Sequence, residues 1–424
     1  MTSERECYVY IVLPGETDFV TAGRFRVSKT RDGEPIGEFV YGNRYLERQD
    51  AVEFDPIELR LTPRHYETAR MGGFFGAIRD SMPDYWGRRV IVRNAGKPIL
   101  DDFCYLIHGP DDRAGALGFG LNVEPPAPRI NFNRGLDLEK LQQIAEAIGN
   151  DEIETFANHA DARQVQELLL EGTSMGGARP KAVVEDDNNL WIAKFTSPGD
   201  KWNYPRVEYA FLQLANACGL DVADSRITTV AEKDVLLVRR FDREGTAQGY
   251  RRHRMVSALT LLRSEENPAT KAEWSYLLLA DEIRRASECP EADLRELFRR
   301  MCFNAVVSNL DDHPRNHAIL AKDKGWRLSP AYDLTPTPGI AVEERYLAMT
   351  CGTFGRSARK ANLLTGCGRF LLSDTEAEII IDNMVKTVRG QWETTLRHAG
   401  VSNKDCIAIE SACIYDGFFY ELIA

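Results

Sequence analysis

Apolar and polar positions divide the chain into stretches of different period. Tyr8, Tyr10 and Val12 interleave with Val9, Ile11 and Leu13. Such an unbroken apolar run predicts a strand buried on both faces. Gly23 to Val27 and Gly37 to Tyr41 predict further short strands bounded by glycine. From Phe74 to Arg93 the period becomes helical, and Pro83 opens a second helix through Trp86, Val90 and Ile91. Gly115 to Leu121 predicts another strand. Glu124-Pro125-Pro126-Ala127-Pro128 then sets three prolines in five residues, which disfavours both helix and central strand. A domain boundary is placed there.

Leu136 to Ile148 is again helical in pattern. Beyond a glycine-bearing turn, Lys181 to Val184 and Leu190 to Phe195 predict a hairpin with its tip at Asp186-Asp187-Asn188-Asn189. Glu208 to Cys218 predicts a helix closed by Gly219. Asp234 to Phe241 predicts an apolar strand, and from about Met255 the pattern is mostly helical. The expected architecture is α+β. A small strand-and-helix domain (1–122) and a Pro-rich linker (123–135) precede a two-lobed, kinase-like fold. Its smaller lobe (136–238) is expected to hold an antiparallel sheet, and its larger lobe (239–424) to be mainly helical.

Composition narrows the function classes. The 424 residues are 43% hydrophobic and 28% charged, the balance of a globular protein. Lys plus Arg is 53 against 64 for Asp plus Glu, a net charge of −11. That argues against a surface coated in basic patches for nucleic acid. No run approaches the ~18 apolar residues of a membrane span, and Glu4, Arg5 and Glu6 stand where a secretory signal would begin. The nine cysteines are scattered without a C-x-x-C pair, so a reduced, cytoplasmic protein is expected.

Four features with chemical content occur in one order. A small-residue turn, Ser174-Met175-Gly176-Gly177-Ala178-Arg179-Pro180, precedes Lys181. Lys194 ends a strand, with Glu208 fourteen positions on, in the expected first turn of a helix. Asn309-Leu310-Asp311-Asp312-His313-Pro314-Arg315-Asn316 follows a buried helix over Leu297 to Val307. Pro330-Ala331-Tyr332-Asp333 follows the strand Trp326-Arg327-Leu328. Phosphoryl transfer from ATP needs such parts: backbone N–H groups near phosphate, a lysine to neutralise it, an aspartate to take the hydroxyl proton, and oxygen ligands for Mg²⁺. Asp311, Asn316 five residues on and Asp333 at +22 supply the last three. Single pieces are weak signals; the Asp-x-His-x-x-Asn loop with its downstream Asp is the strong one.

With these motifs the chain resembles the HipA-type serine/threonine kinases, toxins of bacterial type II toxin–antitoxin systems. Phe74 to Asp84 resembles the family's FF-x-N-LLPD segment, and Asp112 to Leu117 its D-x-x-G-A stretch. Ser174 to Lys181 is similar to its S-x-x-G-A-Q-x-K loop. Val238 to Arg243 resembles E-R-F-D-R with Arg239 in place of glutamate. Asp311 to Asn316 resembles D-x-H-x-K-N, and Leu328 to Asp333 resembles L-x-P-x-Y-D. The resemblance implies Asp311 as catalytic base and Asn316 and Asp333 as Mg²⁺ ligands. It implies Lys194 at ATP phosphate with Lys181 assisting, and the loop Gly176, Gly177 and Ala178 around the phosphates. Arg239 to Phe241 would face adenine, mainly through backbone groups. His313 would brace the loop beside the nucleotide. Ser174 would be a regulatory autophosphorylation site. The implied partners are a protein substrate such as an aminoacyl-tRNA synthetase and a HipB-type helix-turn-helix antitoxin, with DNA reached only through that antitoxin and no membrane.

Other readings compete. A lipid or small-molecule kinase would share the ATP site, and a pseudokinase would keep the fold as a binding module; retention of Lys194, Asp311, Asn316 and Asp333 disfavours the latter. His313 and His317 have zinc spacing, but Pro314 disfavours the helix that zinc would need. Arg239, Arg240, Arg243, Arg251, Arg252 and Arg254 could bind phosphate, although a solvated connector between lobes is the expected reading. Thr350 to Arg356 is left open between a substrate-shaping element and a plain loop.

Overall fold

The computed structural model describes residues 5–95, 101–128, 132–134, 138–149, 179–267, 269–339 and 344–421. Ser174, Gly176, Gly177 and Ala178 therefore lie outside the described residues. The chain divides into two compact units, 1–198 with 237–256 and 320–325, and 199–236 with 257–319 and 326–424.

In the first unit, β1 (Arg5–Val12), β2 (Phe19–Lys29), β3 (Pro35–Tyr41), β4 (Tyr66–Thr68) and β5 (Leu117–Gly120) form one sheet. The order is β4-β3-β2-β1-β5, antiparallel throughout. Val9, Tyr10, Ile11 and Val12 are all buried, as the unbroken apolar run of β1 predicts. An aromatic cluster packs on this sheet, with Phe25 and Phe74 rings 5.4 Å apart and Phe39 and Phe54 rings 5.1 Å apart. Gly37 has to be glycine, because a Cβ there would sit 1.8 Å from the Gly73 carbonyl oxygen. Helices α1 (Gly76–Asp80) and α2 (Tyr85–Ala95) flank Pro83 where the pattern places them. A short helix α3 (Asp102–His108) is capped by the Asp101 side chain.

The same unit holds β6 (Asn133–Arg134), β7 (Lys181–Asp186) and β8 (Asn189–Lys194). β7 and β8 form the predicted antiparallel hairpin. Its tip is Asp187 (φ 49°) and Asn188 (φ 59°), the two consecutive left-handed residues of a tight hairpin turn. β6, however, pairs parallel to β7, which corrects the expectation of a purely antiparallel sheet. Parallel neighbours need a crossover, and helix α4 (Leu138–Gly149) lies in that connection.

The arginine-rich segment is not the solvated connector that its composition suggests. Arg240, Arg243, Arg252 and Arg254 are buried. Arg240 pairs with Asp112 and with Asp242, the latter at 2.9 Å, while Arg243 pairs with Asp242 at 2.8 Å. Arg252 pairs with Asp111 at 2.7 Å. The Gly115 N–H donates to Asp242 at 2.9 Å. The Asp112 to Leu117 motif and the Val238 to Arg243 motif are thus each other's binding partners. Low dielectric explains why the charges come in matched sets.

In the second unit, α5 (Tyr204–Ala217) is followed by β9 (Ser225–Val230) and by the start of β10 (Lys233–Arg239), which ends in the first unit. Helix α5 starts earlier than the pattern suggests. Asn203 caps it by accepting from the Arg206 N–H, and Pro205 fits its first turn. Glu208 consequently lies in the second turn, not the first, and is buried. Helices α6 (Tyr276–Ala286) and α7 (Pro290–Val306) bury Leu279, Ile283, Leu294, Leu297, Phe298 and Met301. The long α8 (Asp374–His398) opens on a capping box between Ser373 and Glu376. Residues 350–356 form a turn with Gly352 bridged to Gly355, in which Cys351 and Gly352 are buried while Thr353, Phe354 and Arg356 are exposed.

Candidate active site

The candidate residues are divided between the two units, and each set has its own local geometry. In the first unit, Lys181 and Lys194 are register partners across the β7–β8 hairpin. Directly opposed residues share a face of the sheet, so both ammonium groups project on the same side. Two like charges there call for compensation. Lys181 Nζ meets Asp84 Oδ2 at 2.8 Å, and both side chains are buried. The Trp86 indole N–H donates to the Lys181 carbonyl at 3.1 Å. The FF…MPD segment thus docks on the first residue of β7. At the end of β10, Arg239 and Phe241 are half-buried while Arg240 between them is fully buried. This alternation of an extended chain puts Arg239 and Phe241 on the face opposite the ionic cluster. The Arg240 N–H donates to the Leu190 carbonyl at 2.8 Å, fixing this segment to β8.

In the second unit, α7 ends at Val306. Ser308 then takes a left-handed conformation (φ 54°) and turns the chain into the polar loop. Within that loop the two aspartates separate completely. Asp311 is exposed, whereas Asp312 is only 1% exposed. Asp312 Oδ2 accepts from the Tyr276 hydroxyl and from His317 Nε2, the latter at 2.7 Å. Burial, and then the neighbouring Asp312, hold the Tyr276 hydroxyl well above its usual pKa, so it stays a donor. Asn304 Nδ2 donates to that hydroxyl at 3.2 Å, and Asn309 Nδ2 donates to Asn304 Oδ1 at 3.0 Å. Sequence reading did not find Tyr276, Asn304 or the anchoring role of Asp312. Their only signal is a set of polar residues at apolar positions of α6 and α7.

His313 does not brace the loop through its side chain. Its Nδ1 is buried without a hydrogen-bond partner, and its ring packs edge-on to Trp274 at 6.4 Å. His317 is the bracing histidine. Zinc is not served either: Pro314 opens a single 3₁₀ turn, and His317 is committed to Asp312.

Asn316 turns its Nδ2 toward the Asp311 carbonyl at 3.5 Å, which directs its amide oxygen the other way. Asp333 is carried to the same loop through its neighbour: the Tyr332 hydroxyl donates to the Arg315 carbonyl at 2.7 Å. The strand entering it is tied down by Ala331, which exchanges backbone bonds with Asp221 (2.8 Å) and Ala223 (2.9 Å). Asp333 itself is left-handed (φ 59°), a conformation that aspartate adopts more readily than most non-glycine residues. The carboxylate and amide oxygens of Asp311, Asn316 and Asp333 are hard donors. Their chemistry fits Mg²⁺ and not a soft metal.

The two-lysine hairpin of the first unit, and the exposed Asp311 with Asn316 and Asp333 in the second, are the kinds of part that a kinase-like α+β protein uses. Comparison with known proteins agrees. Residues 173–392 match the family described as HipA-like C-terminal domain. The chain is 34% identical over 355 residues to "Putative kinase Y4mE" of Sinorhizobium fredii (strain NBRC 101917 / NGR234), covering 78% of this chain and 79% of that protein. It is 27% identical over 156 residues to "Serine/threonine-protein kinase toxin HipA" of Shewanella oneidensis MR-1, covering 34% of this chain and 36% of the toxin. A solved chain from the HipA, HipB and operator DNA complex of the S. oneidensis MR-1 toxin–antitoxin system superimposes with TM-score 0.62 at 15% identity, over 93% of both chains. The chain belongs to the HipA-like kinase family.

Proposed function

We propose that this protein is an ATP- and Mg²⁺-dependent protein serine/threonine kinase, the toxin of a HipA-type pair. The observation that carries the reading is the division of labour in the loop: Asp311 is exposed while Asp312 beside it is buried and anchored. An exposed carboxylate on a rigid loop is placed to accept the proton of an incoming hydroxyl. Asn316 and Asp333 would hold Mg²⁺, which supplies charge neutralisation at the transferred phosphoryl group. Lys194 would bind ATP phosphate with Lys181 beside it, and Arg239 to Phe241 would contact adenine through backbone groups. Gly176, Gly177 and Ala178 would cover the phosphates, and Ser174 would be the autophosphorylated residue that switches the enzyme off.

The substrate would be a cytoplasmic component of translation such as an aminoacyl-tRNA synthetase. A HipB-type antitoxin would neutralise the toxin and supply any DNA contact. Support comes from the relatives: one carries the toxin kinase name, and the superimposable chain is complexed with HipB and operator DNA. The test is incubation of lysate with labelled ATP and Mg²⁺, comparing wild type with Asp311→Asn. The expected result is label on protein, reduced about 100-fold or more by the substitution. Label confined to lipid or small-molecule fractions, or equal labelling by both proteins, would overturn the reading.

A further inference from the structure

The polar loop carries more machinery than proton transfer and metal binding require. Asn309 precedes Asp311, and His317 follows Asn316, so the two bracket the loop. Both belong to one buried chain of hydrogen bonds: Asn309 to Asn304 (3.0 Å), Asn304 to Tyr276 (3.2 Å), Tyr276 to Asp312, and His317 to Asp312 (2.7 Å). All five side chains are almost fully excluded from solvent. Asn309 donates to Asn304 and Asn304 to the Tyr276 hydroxyl, and that hydroxyl and His317 Nε2 end on one acceptor, the Asp312 carboxylate. A carboxylate only accepts, so His317 donates from Nε2. Bonds aligned on one charge polarise and strengthen one another in a medium of low dielectric.

The surrounding elements hold this chain rigid. Ser275 caps α6 by accepting from the Leu277 and Leu278 N–H groups at 3.2 and 3.3 Å, which fixes Tyr276 at the helix start. The Tyr276 and His317 rings pack 5.5 Å apart. The His317 carbonyl accepts from the Ala258 N–H at 2.8 Å. Two short bonds inside the loop, His313 N–H to the Asp311 carbonyl (2.8 Å) and Asn316 N–H to the His313 carbonyl (2.9 Å), complete its shape.

We propose that the Tyr276–Asp312–His317 cluster is a positioning device for the reaction: it sets the loop so that Asp311 and Asn316 are presented at fixed separation. The inference rests on the kinase reading above. Asp312 is not a second candidate base. Its carboxylate is already occupied by two donors and lies away from solvent, so it acts only through the loop it anchors. A group misplaced by about 1 Å can slow a positioned reaction ~100-fold, while substrate contacts made elsewhere are untouched. The loss is therefore expected in kcat and not in the KM for ATP.

The test compares wild type, His317→Ala, His317→Gln and Tyr276→Phe in steady-state phosphorylation, with thermal unfolding in parallel. Gln can return a donor near the place of Nε2. The expected result is a kcat reduced at least about tenfold in His317→Ala and Tyr276→Phe, KM for ATP within about threefold, and substantial recovery in His317→Gln. If the histidine variants do not fold, Tyr276→Phe decides, since it deletes a single oxygen. A kcat within about twofold of wild type in the folded alanine or phenylalanine variant overturns the proposal, as does a loss of kcat that tracks the fall in melting temperature with no recovery in His317→Gln. Failure of the kinase reading is separate: it shows as wild type no more active than Asp311→Asn.

Discussion

Asp311 and Asp312 are neighbours of identical chemistry with opposite surroundings. One faces solvent; the other is sealed under Tyr276 and His317. Replacing them should therefore have different signatures. Asp311→Ala is expected to leave stability within about 0.5 kcal/mol of wild type while removing activity. Asp312→Ala strands two buried donors, at about 1–3 kcal/mol each. Urea unfolding of both variants, read beside their labelling activity, checks the contrast. The glycine at 352 belongs to the same scale: a Cβ there would lie 2.1 Å from the Asn362 carbonyl oxygen, so nothing larger fits without backbone movement.

At the scale of elements, the β7–β8 hairpin turns on two residues of left-handed backbone. A β-branched side chain is costly there, about 1–2 kcal/mol. Asn188→Val should destabilise by that amount in chemical denaturation, and Asn188→Gly should not. Asp234 performs a comparable task where α5 meets β10. Burial opposes its charge, but bonds from Arg206, Thr229 and Asn203 outweigh burial and hold the carboxyl below its usual pKa. The folded form thus binds the proton less readily than the unfolded chain. This contribution to stability is complete above the ordinary Asp pKa of about 4 and is lost as pH falls through the lower folded value. Asp234→Asn should flatten the acid limb of a stability–pH curve; an unchanged acid limb would count against this assignment.

On the largest scale, the first compact unit depends on buried charges that the acidic composition of the chain does not announce. Arg240 is completely buried between Asp112 and Asp242, so Arg240→Met leaves two carboxylates short of a partner. Removing one member of a buried pair typically costs about 3–5 kcal/mol. Such a loss, measured by denaturant unfolding, is expected here, whereas the exposed Arg251–Glu244 pair should contribute less than about 1 kcal/mol. All nine cysteines are free thiols, so none of this unit's stability comes from cross-links. No described helix is long and apolar enough to cross a membrane.

The strand β1, the helices on either side of Pro83 and the β7–β8 hairpin were legible because local period and turn chemistry determine them. The family was legible for a related reason: a phosphoryl-transfer site imposes residue types at spacings that survive in one dimension. The order Asp311, Asn316, Asp333 is the spacing proposed above for such a site. What the sequence could not decide is which polar side chains are buried together. Six arginines between 239 and 254 look solvated when read in line, and only folding brings Asp111, Asp112 and Asp242 against three of them, Arg240, Arg243 and Arg252. On paper His313 reads as the brace, and His317 stands out only for its zinc spacing from it. The choice fell to His317 because the turn at Pro314 carries it inward to Asp312, where a helix begun at Ser275 has placed Tyr276. Burial is a property of packing in three dimensions, and a polar residue reveals its partner only there.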